Sequence, residues 1–255
     1  IERSVRFNSS DSAYCSFTPA SAGNRKTWTW AGWVKRSKLG AYQNLFGFVS
    51  AVNTADQHYI DFSNTDKIRF TRYYSGDIGS RVTTAVYRDL SAWLHICAVW
   101  DTTQSTADNR MQLYVNGIKI TAFDTTVNPS QNYDGEINNA IQHGIGSTAP
   151  YLANFGDFYL ADIHFIDGQA LDPTSFGEFD TNGIWQPIAY TGSYGTNGFH
   201  LDFSDNSTAA ALGTDTSGNS NTWTVNNISV AAGSGNDSLV DVPTNGTETD
   251  TGVGG

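Results

Sequence analysis

The chain has two cysteines, one methionine, four glutamates and, after Lys119, no lysine or arginine at all. Each shortage excludes something. Two thiols, Cys15 and Cys97, are too few to build a disulfide framework. Neither lies in a CxxC pair or a metal-type cluster, and they read as two buried free thiols or as one bridge across a sandwich. The scarcity of strong helix formers, beside many Thr, Val, Tyr, Trp and Phe, argues for strands and turns. No apolar run approaches the roughly 18 residues of a membrane span, so no membrane insertion is expected. The opening text IERSVRF shows neither an initiator Met nor a basic, apolar leader, and reads as a processed or internal piece with no legible targeting signal.

Charge is divided along the chain. Up to residue 119, fourteen Lys and Arg face nine acids, a net of +5. Beyond it sixteen acids stand alone, a net of −16, which together give the −11 of the whole. A nucleic-acid binder needs a sustained basic surface, so that partner is not expected. The acidic half should repel anionic surfaces, and head-to-tail attraction between the basic region of one copy and the acidic region of another is open to it.

Short runs of strand-forming residues separated by turn chemistry recur from start to finish, as in a sandwich. Expected strands are SVRFN (4–8), AYCSF (13–17), TWTWAGWVK (27–35), NLFGFVS (44–50), HYIDF (58–62), KIRFTRYY (67–74) and RVTTAVY (81–87). WLHICAVWD (93–101), RMQLYVNG (110–117), IKITAF (118–123) and FYLADIHFID (158–167) continue the series. SGDIGS should join two of them as a hairpin, and Asn116-Gly117 is the pair that favours a tight two-residue turn. In LDPTSFGEF, Asp172 and Pro173 could cap a single helical turn. Near residue 180 the composition shifts to Gly, Ser, Asn and Thr. The reading is therefore a sandwich over 1–180 and an acidic, extended C-terminal arm over 181–255. FHLDF (199–203) and TWTVNNISV (222–230) are strands in that arm, and the last dozen residues have no reason to order by themselves. Two or three isolated strands cannot bury a core, so the arm should pack on the first domain or on a neighbour.

Four ordered segments carry a family resemblance: TWTWAGWVKRS (27–37), WLHICAVWD (93–101), LYVNG (113–117), and IGS (145–147) with FGDFYLADIHFIDGQAL (155–171). Together they resemble the laminin-G-like, concanavalin A-type jelly roll, which implies an all-β fold of two antiparallel sheets packed face to face. A narrower likeness covers nearly the whole chain. SVRFNSSDSAYCSFTPASAGNRKTWTWAGWVKR, YGTNGFHLDFSDNS, GTDTSGNSNTWTVNN and NDSLVDVPTN resemble segments of structural proteins of marine tailed bacteriophages. That resemblance implies a virion component, in a tail fibre or a head decoration, whose partners are other virion proteins or a host cell-surface glycan. It also implies a homo-oligomer, with a trimer as the natural symmetry of a fibre.

No catalytic constellation can be found at usable spacing. Glycoside hydrolysis generally needs two carboxylates about 5 to 10 Å apart, which in a strand means acids at i and i+2 or i+4. Glu2, Glu136, Glu178 and Glu248 have no such partner, and Asp162 and Asp167 fall on opposite faces of a regular strand. GSGND (233–237) lacks the setting of a nucleophile elbow. The five histidines show no paired spacing, which argues against zinc, and no phosphate loop opens a helix. The chain is therefore expected not to be an enzyme. The laminin-G resemblance implies one Ca²⁺ at the sheet rim, for which Asp101, Asn154 and Asp157 are the candidate ligands, with the oxygen-rich turn DTSGN (215–219) as another. Aromatics are the expected binding hardware. Trp28 and Trp30 share one strand face with Trp33 opposite, and most Trp should fill the core; Tyr42, Tyr133 and Tyr151, in loops, are the candidate ligand contacts. Two functions remain: an adhesin or structural virion protein, or a calcium-dependent carbohydrate-binding lectin.

Overall fold

The computed structural model describes residues 1–244. The strands are β1 (Ser4–Phe7), β2 (Tyr14–Phe17), β3 (Thr27–Arg36), β4 (Gln43–Val49), β5 (Asp56–Phe62), β6 (Ile68–Tyr74), β7 (Asp77–Thr83), β8 (Trp93–Asp101) and β9 (Met111–Val115). They continue as β10 (Ile118–Lys119), β11 (Phe123–Val127), β12 (His143–Ile145), β13 (Phe158–Asp167), β14 (Gly177–Phe179), β15 (Trp185–Pro187), β16 (Phe199–Leu201), β17 (Thr224–Asn226) and β18 (Ser238–Leu239). Among the described residues the only helical pieces are short 3₁₀ turns. One of them, Pro173–Ser175, carries the Asp172 cap expected of it, with the carboxylate accepting from the Thr174 amide. Among the described residues no helix is long and apolar enough to cross a membrane.

The paired strands are antiparallel; they form a two-sheet jelly-roll sandwich, with β14 and β15 as a separate two-stranded hairpin. Sheet A runs β10-β9-β8-β3-β13-β1-β18, with β16 also on β13; sheet B runs β11-β7-β6-β5-β4-β12-β2-β17. Strand alternation sorts the side chains. In β3, Trp28, Trp30 and Val34 enter the core between the sheets, whereas Ala31 and Trp33 point to the outer face of sheet A. The core is aromatic: Trp28 stacks on Trp100 and Trp30 on Phe46, with ring centroids 6.2 Å apart in both pairs. Cys15 and Cys97 are free and buried, Cys15 in the core and Cys97 on the outer face of sheet A. Burial pushes the Cys15 thiol up to about 12.

Two hairpins differ from expectation in an instructive way. Asn116 and Gly117 both adopt positive φ and form the tight turn foreseen for them. SGDIGS is not a six-residue connection. Ser75 and Gly76 alone make the turn, both at positive φ, so β7 starts at Asp77 and Thr84–Tyr87 leave the sheet. IKITAF is likewise not one strand: β10 stays in sheet A, and β11 crosses to pair with β7 of sheet B.

The described part of 181–255 does not form a body apart from the sandwich. It lends β16 and β18 to sheet A and β17 to sheet B, and Phe199, Leu201, Leu212 and Trp223 belong to the main core. Residues 168–198 lie over the outer face of sheet A, where Phe176 packs with Ala31, Cys97 and Val99, and Trp185 with Trp33 and Ala161. Of the final dozen residues, all but the first lie outside the described residues.

Part of the divided charge is paired within the chain. Arg6 pairs with Asp237 at 2.8 Å and Lys35 with Asp241 at 2.6 Å, so basic residues of the first half meet acids of the last quarter.

Candidate functional site

The side of β13 away from β3 is shared by two short strands. Its first half pairs with β1 and its second half with β16. At the junction the strand bulges. Ala161 pairs with Trp33 and His164 with Ala31, so Asp162 and Ile163 both stand across from Gly32. Asp162 takes the left-handed backbone, φ 52°. A bulge re-aims a side chain, and here Ile163 goes to the core while Asp162 joins His164 on the outer face of sheet A. Directly opposite His164 in the register lies His200 of β16. The two imidazoles stack 4.2 Å apart and nearly parallel.

Asp162 holds this pair. Its Oδ1 is 2.7 Å from His200 Nε2, and its Oδ2 is 3.3 Å from His164 Nε2. The second approach falls outside hydrogen-bond geometry, so the buried His164 Nε2 has the Asp162 carboxylate only as an ion-pair neighbour. The far nitrogens are fixed by hydroxyls: His164 Nδ1 meets Tyr194 Oη at 2.8 Å, and His200 Nδ1 meets Thr216 Oγ1 at 2.9 Å. The Asp215 carboxylate accepts from the His200 amide and so anchors the strand. Burial works against the Asp162 charge, yet His164 and His200 hold its carboxyl well below the usual carboxylate range. The cluster lies in the wall of an open cavity of about 410 Å³ that Glu2, Asp202 and Tyr190 also line.

The residues anticipated as calcium ligands do not converge. Asp101 lies opposite Thr27 at one end of β3, whereas Asp157 precedes Phe158, which lies opposite Arg36 at the other end. Those positions are nine residues apart on β3, roughly 30 Å at about 3.3 Å per residue. Each carboxylate is also engaged locally. Asp101 accepts from Thr103 and Gln104, and Asp157 accepts from Ser9 and pairs with Lys38. Asn154 gives its carbonyl to the Asn44 amide. The DTSGN turn is likewise self-satisfied, since Asp215 accepts from Ser217 and Asn221.

The three tyrosines part company. Tyr133 is half-buried: Arg72 donates to its hydroxyl, and its ring meets the edge of Trp100. Tyr42 and Tyr151 are exposed, at 42% and 45%, and both border the outer face of sheet B. Tyr151 rides on the loop that crosses β12 at Gly144, where an added Cβ would lie 2.2 Å from the Ser147 carbonyl oxygen. Tyr42 covers the Arg69 guanidinium, which is sandwiched between the Tyr42 ring at 4.6 Å and the Tyr59 ring at 5.0 Å. Arg69 in turn donates twice to Asp61, at 2.8 and 2.5 Å. Burial pushes the Asp61 carboxyl up to about 6, against the pull of Arg69. Above that pH the two form an ion pair.

Residues 8–174 match the family Laminin_G_3, described as the concanavalin A-like lectin/glucanases superfamily. The chain belongs to that superfamily. Among solved structures, this concanavalin A-like chain is similar to a "putative carbohydrate binding protein" from Bacteroides ovatus, at 12% identity and a TM-score of 0.60. The match covers 89% of this chain and 58% of that one. It is similar also to the heptameric SAP-like pentraxin of Limulus polyphemus, at 14% identity and a TM-score of 0.49, over 67% of this chain and 77% of the other. At 12% identity the likeness to the Bacteroides ovatus protein is one of fold. No curated protein matches the sequence significantly.

Proposed function

We propose that this concanavalin A-like chain is a non-catalytic binding module that holds a glycan on the outer face of sheet B. The observation that carries the reading is the Tyr42–Arg69–Tyr59 stack anchored on Asp61. An exposed tyrosine ring offers a flat apolar surface to a pyranose. Beside it, the partly exposed Arg69 guanidinium, held in fixed geometry by the buried Asp61 carboxylate, suits sugar hydroxyls, because a preorganised polar group loses little entropy on binding. The superfamily, named for lectins and glucanases, and the fold shared with the Bacteroides ovatus protein support the same reading.

A glycan array followed by titration calorimetry tests it. One class of oligosaccharide should bind, and Tyr42→Ala should weaken binding about tenfold, a loss of about 1.4 kcal/mol. An array without a specific signal, or a signal indifferent to Tyr42→Ala and Arg69→Ala together, would overturn it.

The finer reading makes this module a homo-oligomeric component of a bacteriophage virion. It is supported by the likeness of SVRFNSSDSAYCSFTPASAG and NDSLVDVPTN to segments of such proteins. The ion pairs Arg6–Asp237 and Lys35–Asp241 satisfy part of the divided charge within one chain. Immunogold labelling of intact particles checks it: no label on any particle removes the virion reading and leaves the lectin one standing.

A further inference from the structure

We propose that Asp162, His164 and His200 bind a zinc-class divalent cation whose remaining coordination position opens into the adjoining cavity. The site lies on the outer face of sheet A, so it does not rest on the glycan reading. Two imidazole nitrogens and one carboxylate, with a fourth position left open, form a tetrahedral donor set suited to Zn²⁺ and its neighbours. Calcium, which takes six to eight oxygens, is poorly served by it.

The donor separations suit an ion of that size once the two stacked, nearly parallel rings turn so that both Nε2 lone pairs meet at it. The donor atoms of the three side chains all lie within 4.8 Å of one another. Donors about 2.0–2.1 Å from a tetrahedral ion stand about 3.3 Å apart, which is the distance between Asp162 Oδ2 and His164 Nε2. The 2.7 Å contact of Oδ1 with His200 Nε2 would open slightly as the ion replaces the proton.

The surroundings also point to a cation. His164 is 2% exposed, and its Nε2 is aimed into the cluster without a hydrogen-bond partner, which costs free energy unless something accepts that lone pair or proton. Both Nδ1 atoms meet hydroxyls that either donate or accept, Tyr194 and Thr216. These can take an Nδ1–H bond and free each Nε2 for a metal, the usual supporting arrangement around ligating histidines. Glu2 and Asp202 add negative charge to the cavity wall. The ion would tie β13 to β16 and so clasp the C-terminal part of the chain to sheet A.

The test uses the full chain, stripped with a chelator and dialysed separately against Zn²⁺, Co²⁺ and Ca²⁺. One Zn²⁺ per chain should remain, and Co²⁺ should give the intense visible bands of a four-coordinate nitrogen and oxygen site. Zn²⁺ but not Ca²⁺ should raise the melting temperature by several degrees. Asp162→Asn, which tolerates the left-handed backbone, and His200→Gln should each weaken Zn²⁺ binding at least a hundredfold while the metal-free chain stays folded. Thr216→Val should weaken it about 10–100-fold. Less than half an equivalent of Zn²⁺ on the wild-type chain, or equal retention by the two ligand variants, would overturn the proposal. Should both variants fail to fold, the cobalt spectrum and stoichiometry of the wild-type chain decide.

Discussion

The two outer faces of the sandwich are used in opposite ways. That of sheet A is roofed by residues 168–198, which bury Ala31, Trp33, Cys97, Val99 and Ile166. Its polar groups, His95, Asp162, His164 and His200, are enclosed or line a cavity beneath that roof. Sheet B meets solvent with its own long side chains laid flat, Arg69 between Tyr42 and Tyr59 and Asp61 sealed beneath them. One face has bought its order with a covering segment, the other with a cation between two rings. The first should respond to perturbation through stability and the second through binding.

The largest effect should follow from breaking the roof. Trp185 fills the space against Trp33, Ala161 and the His95 ring, and Trp185→Ala should cost about 3–5 kcal/mol in urea unfolding. Tyr42→Ala on the open face should stay within about 0.5 kcal/mol. Equal losses at the two sites would erase the distinction.

Acid should separate the faces next. Burial under the roof lowers His95 to about 3 from an ordinary 6.5. Above pH 6.5 it is neutral in both folded and unfolded chains, and its contribution is complete. As pH falls from 6.5 toward 3 the unfolded chain takes up the proton first, so stability falls by about 1.4 kcal/mol per pH unit. His95→Phe should flatten that part of a stability–pH curve. On sheet B, by contrast, glycan affinity should fall as pH drops through about 6, where Asp61 gains its proton. Calorimetry at pH 5 and 8 checks this, and an unchanged affinity would separate the ion pair from recognition.

The smallest effect concerns the thiols. Cys97 lies under the roof and Cys15 in the core. Trp185→Ala should therefore speed alkylation of Cys97 by several-fold in native buffer and leave Cys15 protected until global unfolding. Mass mapping of the labelled peptides distinguishes the two.

Local chemistry made much of this fold readable. WLHICAVWD and FYLADIHFID match β8 and β13 residue for residue, and Trp28, Trp30 and Trp33 take the faces that alternation assigns them. The failures are non-local. Nothing within IKITAF says that its two ends belong to different sheets, because that depends on where β7 lies. The Asp162–His164–His200 cluster escaped for the same reason, since the histidines are 36 residues apart in the chain. A faint signal was present: Asp162-x-His164 and His200-x-Asp202 are mirror-image pairs at strand spacing. Antiparallel pairing in the observed register, Ile163 opposite Leu201, sets like against like. Sequence spacing places Asp162 and Asp167 on opposite faces, which they do occupy. It cannot show the bulge, which resets the alternation after Ala161 so that Asp162 shares the outer face with Ala161 as well as with His164.

The shared side of β13 has a practical consequence for anyone who handles this protein in pieces. A fragment ending at residue 180 would keep β1 but lose β16, baring half of one long strand, and the loss of β17 would bare β2 as well. Unpaired strand edges recruit other chains. Such a fragment, stripped also of Phe199, Leu201 and Trp223 from its interior, should collect in inclusion bodies, and a soluble expression unit has to run past Leu239.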